Sequence, residues 1–372
     1  MKNRKMNIPM LDLKKEYEPL KGIILKEVEK VFDKMGIYLG ENVQQFEKEF
    51  AEYCEVKYAV GVGSGTGAIL ASLYAAGIKP GDEIITVSHT FIATVSPIAL
   101  IGAKPVFIDI DPDTFLIDTA KIESKITDKT KAIIPVHLYG QACDMDKIRT
   151  IALKYNLKII EDCAQAHAAK YKNKIVGTLG DLGAYSFVFT KNLRCYGDAG
   201  MVITNNKKMY EYLKQFRDIG RSSKYEHSIW GLNSRLDEIH AAILRIKLPY
   251  INKWTDQRRK NAEYYNAQLK KSFLITPFEI DNVNHVYHQY VIKTDNRDEL
   301  QKFLQKNGIS TGIHYPIPVH LQPPAKQFGY KKGDLSITED VCDKILSLPI
   351  FPELDMKRMK YIVKLINEYF NK

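Results

Sequence analysis

The sequence predicts an α/β protein with a large domain around a mostly parallel sheet and a smaller C-terminal α+β domain. Three observations carry this. Short runs that are apolar throughout alternate with helix-like stretches, as strands buried on both faces and joined by crossover helices do. The chain has 372 residues, long for a single core. A long helical stretch over 237–271 is followed by a fresh set of elements.

The elements follow in order. Residues 12–34 and 42–54 show apolar positions at helical spacing, separated by the glycines of "MGIYLG". "YAVGVGS" (58–64) is a strand leading into the helix-like "AILASLYAAG", and "DEIITVS" (82–88) leads into "FIATVSPIALIGA". "KPVFIDI" (104–110), "KAIIPVHL" (131–138) and "LKIIEDCA" (157–164) continue the strand series. "GAYSFVF" and "GMVITN" read as two strands joined by a loop that holds Lys191. A long connection covers about 217–238. The strand "HQYVIKT", the stretch "RDELQKFLQKNGIST" and a helix at about 355–370 complete the chain. These features divide it into a large domain over 1–250, with an N-terminal helical segment, and a small domain over 251–372.

Composition narrows the function. The formal charge of +10 invites a nucleic-acid partner, but no RNA-binding, zinc-finger or recognition-helix pattern accompanies it. Basic residues are scattered among acids, as on a solvated surface, and the excess also suits small phosphate-bearing ligands. No run of eighteen apolar residues exists, so no membrane partner is expected. The basic start "MKNRKMNIPM" lacks a signal-peptide core, which points to a cytoplasmic protein. Five scattered cysteines without a CxxC pair give no disulfide framework and no metal site.

Three segments carry candidate chemistry. "GVGSGTGAIL" places a Gly-rich turn between strand and helix, where backbone N–H groups bind phosphate; a plain tight turn explains it as well. It matches neither the GxGxxG dinucleotide fingerprint nor a Walker ending, which argues against a dehydrogenase or NTPase. In "EDCAQAH", Asp162 ends an apolar strand, where ligands of open α/β sheets sit; alternatively it caps a following helix. Lys191 follows a strand among Phe187, Phe189 and Tyr196. Desolvation there frees a neutral amine for carbonyl chemistry, whereas a surface lysine would snorkel. Together, a phosphate cradle, a carboxylate and a lysine are the parts that hold pyridoxal 5′-phosphate.

The ordered stretches "LGENVQQFEKEFA", "SGTGAILASLYAAGIKPGDEIITVSHTFIAT", "IIPVHLYGQACDMDKI", "EDCAQAH", "SFVFTKNL", "GLNSRLDEIHAAIL" and "GISTGIHYPIPVHLQP" run through nearly the whole chain. They resemble the DegT/DnrJ/EryC1/StrS family of pyridoxal-phosphate-dependent sugar-nucleotide aminotransferases. The resemblance implies the aspartate-aminotransferase-like (type I) fold. It implies a Schiff base at Lys191, a pairing of Asp162 with the pyridinium nitrogen, and a hydrogen bond from Gln165 near the phenolic oxygen. Phe91 would cover the ring, and Gly65, Thr66 and Ser186 would hold the phosphate. Asn233 would reach the cofactor of a neighbouring subunit, implying a homodimer with shared sites. His314 and Tyr315 would line the sugar-nucleotide cleft; Arg194 is a further candidate for contact with substrate, with a surface salt bridge the alternative. Departures include Phe189 where proline is common and Arg194 and Ala169 where glycine is common.

The same resemblance implies a transaminase that uses L-glutamate, in the branch that aminates a dTDP-linked 3-keto-6-deoxyhexose. A 4-aminotransferase acting on a UDP- or dTDP-4-keto sugar is the alternative. Family members that dehydrate carry histidine in place of the lysine, so Lys191 favours transamination. A non-catalytic regulator of the same fold is the reading from another class.

Overall fold

The computed structural model describes residues 6–270 and 272–371. Its central sheet has seven strands: β1 (Tyr58–Val62), β2 (Glu83–Val87), β3 (Lys104–Ile108), β4 (Thr130–Ile133), β5 (Lys158–Asp162), β6 (Leu182–Ser186) and β7 (Gly200–Thr204). Their order across the sheet is β1-β7-β6-β5-β4-β2-β3. Every neighbouring pair from β6 to β3 is parallel, and β7 runs against both β6 and β1.

Alternate residues of these strands feed two different cores, as the pleat requires. Ile85, Ile133, Ile159 and Ile203 face one way, towards Phe46 and Phe50 of helix α2 (Glu41–Cys54), which follows α1 (Lys21–Lys34). Ile84, Ala132, Ile160 and Val202 face the other way. They meet Ile69 and Leu73 of α3 (Gly65–Ala75) and Leu213 and Phe216 of α5 (Lys207–Phe216). Helix α4 (Met145–Tyr155) packs Ile148 and Ile151 on the first face. With both faces covered, no strand needs a polar side, which is why the runs are apolar throughout.

Helices α6 (Glu238–Lys247) and α7 (Ile251–Gln268) lead to the C-terminal part. There β8 (Tyr290–Lys293) pairs antiparallel with β9 (Ile345–Leu348), beside α8 (Arg297–Lys306) and α9 (Met356–Tyr369). A separate core gathers Tyr265, Tyr290, Leu304, Leu348 and Ile362. Ile8 belongs to this core and bridges to Ile309, so the first described residues pack with the last third of the chain.

Two expected helices are interrupted by proline. The stretch from 12 breaks at Glu18–Leu20, a 3-10 turn containing Pro19. "FIATVSPIALIGA" divides into a 3-10 turn, Ile92–Thr94, and a short helix, Ser96–Leu100, whose first turn contains Pro97. Proline lacks the N–H that would continue the first piece into the second.

Candidate active site

The C-terminal ends of β1, β5 and β6 and the start of β7 lie at one edge of the sheet. The register aligns Val62 and Ser186 with Gly200, and Asp162 with Ala184. A cavity of about 200 Å³ opens there, and Gly65, Thr66, Phe91, Asp162, Gln165, Ser186 and Lys191 all line it. These segments are distant in sequence, and the topology brings them to one place.

One wall is the turn from β1 into α3. Ser64 caps the helix by accepting from the Gly67 amide at 3.0 Å. A Cβ on Gly65 would lie 2.5 Å from Ser186 Cβ, and one on Gly200 would lie 2.3 Å from the Ser64 carbonyl oxygen. The glycines therefore let the helix N-terminus press against Ser186 and β7. The result is a concave rim of free N–H groups and a hydroxyl, which suits a phosphate.

The floor is Asp162. No helix follows it, so it is not a helix cap. Its Oδ1 accepts from the Ala164 amide at 3.1 Å, and its Oδ2 accepts from the Thr94 hydroxyl at 2.7 Å. Burial pushes its carboxyl pKa up, against the opposing pull of those two donors and of Lys191. A cationic ring nitrogen is the kind of partner that such a carboxylate holds.

Lys191 sits in the loop between β6 and β7. Its Nζ makes no hydrogen bond or ion pair among the described residues. Burial brings its pKa down to about 8, although the Asp162 charge works the other way. The snorkelling alternative does not hold, because the side chain turns into the cavity.

Gln165 is locked by two bonds. Its Oε1 accepts from the Tyr139 amide at 2.7 Å, and its Nε2 donates to the Tyr315 hydroxyl at 3.0 Å. Phe91 is half exposed at the mouth, its ring centroid 5.5 Å from that of Tyr315. His314 accepts from the Tyr139 hydroxyl at its carbonyl, and its Nδ1 bonds Ser347 Oγ at 2.8 Å. Burial and the Lys191 charge lower its pKa to about 4, so the ring is neutral at pH 7. His314 and Tyr315 thus stand beside the cavity, behind Phe91 and Gln165.

Two predicted residues lie elsewhere. Asn233 is exposed and lines an adjoining cavity of about 490 Å³ that shares Ser64 and Asp198 with the first. Arg194 does not reach substrate space. It is buried, 1% exposed, and pairs with Glu16 Oε2 at 2.8 Å, while Lys247 Nζ bonds Glu16 Oε1 at 2.7 Å and the Arg194 carbonyl at 3.1 Å. A guanidinium in that position ties the N-terminal arm to the Lys191 loop. Thr94 and Tyr139 are site residues that sequence reasoning missed; neither stands in a motif with chemistry of its own.

The potential ligand atoms of His137, Glu161 and Cys163 lie within 4.8 Å of one another, a grouping of metal-ligand type. Glu161 is already satisfied, however. It accepts from the amides of Gly177, Leu179 and Gly180 at 2.6–2.7 Å and bonds His137 Nε2 at 2.9 Å. The trio anchors the loop before β6.

A phosphate rim, a buried carboxylate and an unpaired lysine around one cavity fit pyridoxal phosphate, and comparison with known proteins agrees. The model of the DegT/DnrJ/EryC1/StrS aminotransferase family matches residues 20–367. The chain belongs to this family. It is 49% identical over 368 residues to a pleiotropic regulatory protein of Geobacillus stearothermophilus, covering 98% of this chain and 99% of the relative. It is 42% identical to the dTDP-3-amino-3,6-dideoxy-alpha-D-galactopyranose transaminase of Aneurinibacillus thermoaerophilus, covering 97% and 99%. Among solved structures, DesV of S. venezuelae in complex with a ketimine intermediate superposes with a TM-score of 0.96 at 38% identity, covering 98% and 99%. NtdA of Bacillus subtilis with bound pyridoxamine phosphate gives 0.93 at 31% identity, covering 100% of this chain and 87% of the other. The fold is that of the pyridoxal-phosphate aminotransferases, and the chain is a sugar aminotransferase of this family with that cofactor. Among the described residues no helix is long and apolar enough to cross a membrane.

Proposed function

We propose that the protein is a cytoplasmic homodimer that transfers an amino group from L-glutamate to C3 of a dTDP-linked 3-keto-6-deoxyhexose. The product is the dTDP-3-amino-3,6-dideoxyhexose. The observation that carries the sugar assignment is the 42% identity, across nearly the full length of both chains, to a transaminase named for such a product.

The cofactor supplies an electron sink that acidifies the carbon bearing the amine. Lys191 anchors the cofactor. Its Nζ, with a pKa near 8, would suit both removing a proton from that carbon and delivering one to the carbon on the far side of the nitrogen. Asp162, its plane fixed by Thr94 and the Ala164 amide, would keep a proton on the ring nitrogen. Ser186, Thr66 and the Gly65 amide would bind the phosphate, Phe91 would cover the ring and Gln165 would orient it. Asn233 of the partner subunit completes the phosphate site. His314 and Tyr315 direct the keto carbon.

A regulatory role is the second reading, because the 49% relative is named a regulatory protein. The unpaired lysine and the braced carboxylate favour catalysis. A binder would not need a lysine of lowered pKa. A panel of dTDP- and UDP-linked 3-keto and 4-keto sugars, incubated with L-glutamate and read by mass spectrometry, tests the proposal. Preferential amination of the dTDP-3-keto sugar is expected. Preference for a 4-keto sugar rejects the substrate, and no amination of any rejects the activity.

A further inference from the structure

Tyr139 uses every polar atom it has. Its amide donates to Gln165 Oε1 at 2.7 Å, and its carbonyl accepts from the Gln289 amide at 3.3 Å. Its hydroxyl donates to the His314 carbonyl and stands 2.8 Å from His89 Nε2. Its backbone has φ +59°, a left-handed conformation that a bulky residue adopts only when its surroundings over-determine it. The side chain is buried, and so are His89 and Cys342, whose Sγ lies 3.4 Å from His89 Nδ1.

The direction of each bond follows from proton count. The His314 carbonyl can only accept, so the single Tyr139 hydroxyl proton points to it. His89 must then donate from Nε2. Burial brings the His89 pKa down to about 3, so the ring is neutral and Nδ1 is bare. Nδ1 accepts from the Cys342 thiol. The chain runs one way, from Cys342 through His89 and Tyr139 to the peptide of His314. A second branch runs from the Tyr139 amide through Gln165 to the Tyr315 hydroxyl.

We propose that Tyr139 is a positioning residue for the amino acceptor: it fixes the spacing between Gln165, on the cofactor side, and the His314–Tyr315 segment, on the acceptor side. The inference rests on the aminotransferase reading. Both walls hang on one residue, so a shift of its ring moves them relative to each other. Misplacement by about 1 Å at a reacting centre can cost about a hundredfold in rate.

The test uses Tyr139→Phe, which keeps the ring and removes the hydroxyl. Single-turnover measurements separate the two half-reactions of the cofactor-loaded enzyme. The keto-sugar half should lose at least about tenfold in kcat/KM, the size expected when a buried hydrogen bond is left unmade. The glutamate half should stay within about twofold. Equal slowing of both halves, or none in the keto-sugar half, overturns the proposal. A wild-type enzyme inactive in both halves overturns the functional reading and the proposal with it. The conservative variant His89→Gln, which keeps a donor where Nε2 stood, should retain the keto-sugar rate within about threefold, whereas His89→Leu should match Tyr139→Phe; identical losses in both His89 variants overturn the proposal. Independently of turnover, ¹⁵N-histidine NMR of the cofactor-free protein should show His89 protonated at Nε2 and bare at Nδ1. The opposite tautomer contradicts the chain.

Discussion

Thr94 donates its hydroxyl proton to Asp162 Oδ2 at 2.7 Å, and Thr90 Oγ1 stands 2.8 Å behind it. The pair joins the turn after β2 to the end of β5, so the carboxylate is aimed by a segment that also carries Phe91. Asp162→Asn keeps the shape and removes the charge. It should lower turnover by about a hundredfold or more while the protein still binds pyridoxal phosphate, because loss of one preorganised electrostatic contact has effects of that order. Thr94→Val should cost less, about tenfold, since the charge remains. Steady-state kinetics with absorbance-verified cofactor content checks both.

Lys191 governs a pH dependence whose sign follows from its lowered pKa of about 8. Its neutral form is the nucleophile, so capture of pyridoxal phosphate by the apoprotein should accelerate as pH rises through about 8 and then level off. The unfolded lysine holds its proton to higher pH than the folded one. The folded state therefore gains stability as pH rises from about 8 towards the unfolded value, and is penalised below it. Lys191→Met should accordingly raise the melting temperature of the apoprotein at pH 7, with a smaller gain above pH 10. Stopped-flow absorbance and calorimetry read the two effects.

Gly65→Ala tests the phosphate rim. The new Cβ would fall 2.5 Å from Ser186 Cβ, so the helix N-terminus must back away from the hydroxyl. Cofactor affinity should fall about tenfold or more, with the change visible in fluorescence titration of the apoprotein.

The buried Glu16–Arg194–Lys247 group predicts a stability effect. Glu16→Gln leaves two buried cations without their carboxylate and should cost about 3–5 kcal/mol in urea unfolding. Lys14→Gln, an exposed neighbour, should cost little.

The legible parts of this site are those where local pattern and chemistry coincide. Asp162 ends an apolar strand, a Gly-rich turn opens a helix after a strand, and Lys191 falls between two strands; Ser186 and the single phosphate residues come only from the family resemblance, and the strand order brings them all to one sheet edge. Thr94 and Tyr139 carry no such mark. Their roles arise from contacts with Asp162, His89 and His314 across the fold, and threonine and tyrosine are common enough to pass unnoticed. The burial of Arg194 is illegible for the same reason. Its partner Glu16 lies on the N-terminal arm, and only packing reveals that the arm returns to the Lys191 loop. The proline interruptions at Pro19 and Pro97 were visible as residues, but periodicity ran through them.

Shared sites would make the dimer necessary for activity. Inactive Lys191→Ala and inactive Asn233→Ala subunits, mixed and allowed to exchange, should regain part of the wild-type activity, because some sites then receive an intact Lys191 and an intact Asn233 from different chains. No recovery despite exchange seen by native mass spectrometry would put Asn233 outside the partner's site.

The account stands most directly on the covalent role of Lys191. Borohydride reduction of the pyridoxal-phosphate-loaded protein, followed by proteolysis and mass spectrometry, measures it. The account predicts one modified peptide, carrying a phosphopyridoxyl group on Lys191. Labelling of a different lysine, or recovery of an unmodified Lys191 peptide from cofactor-saturated protein, would contradict it.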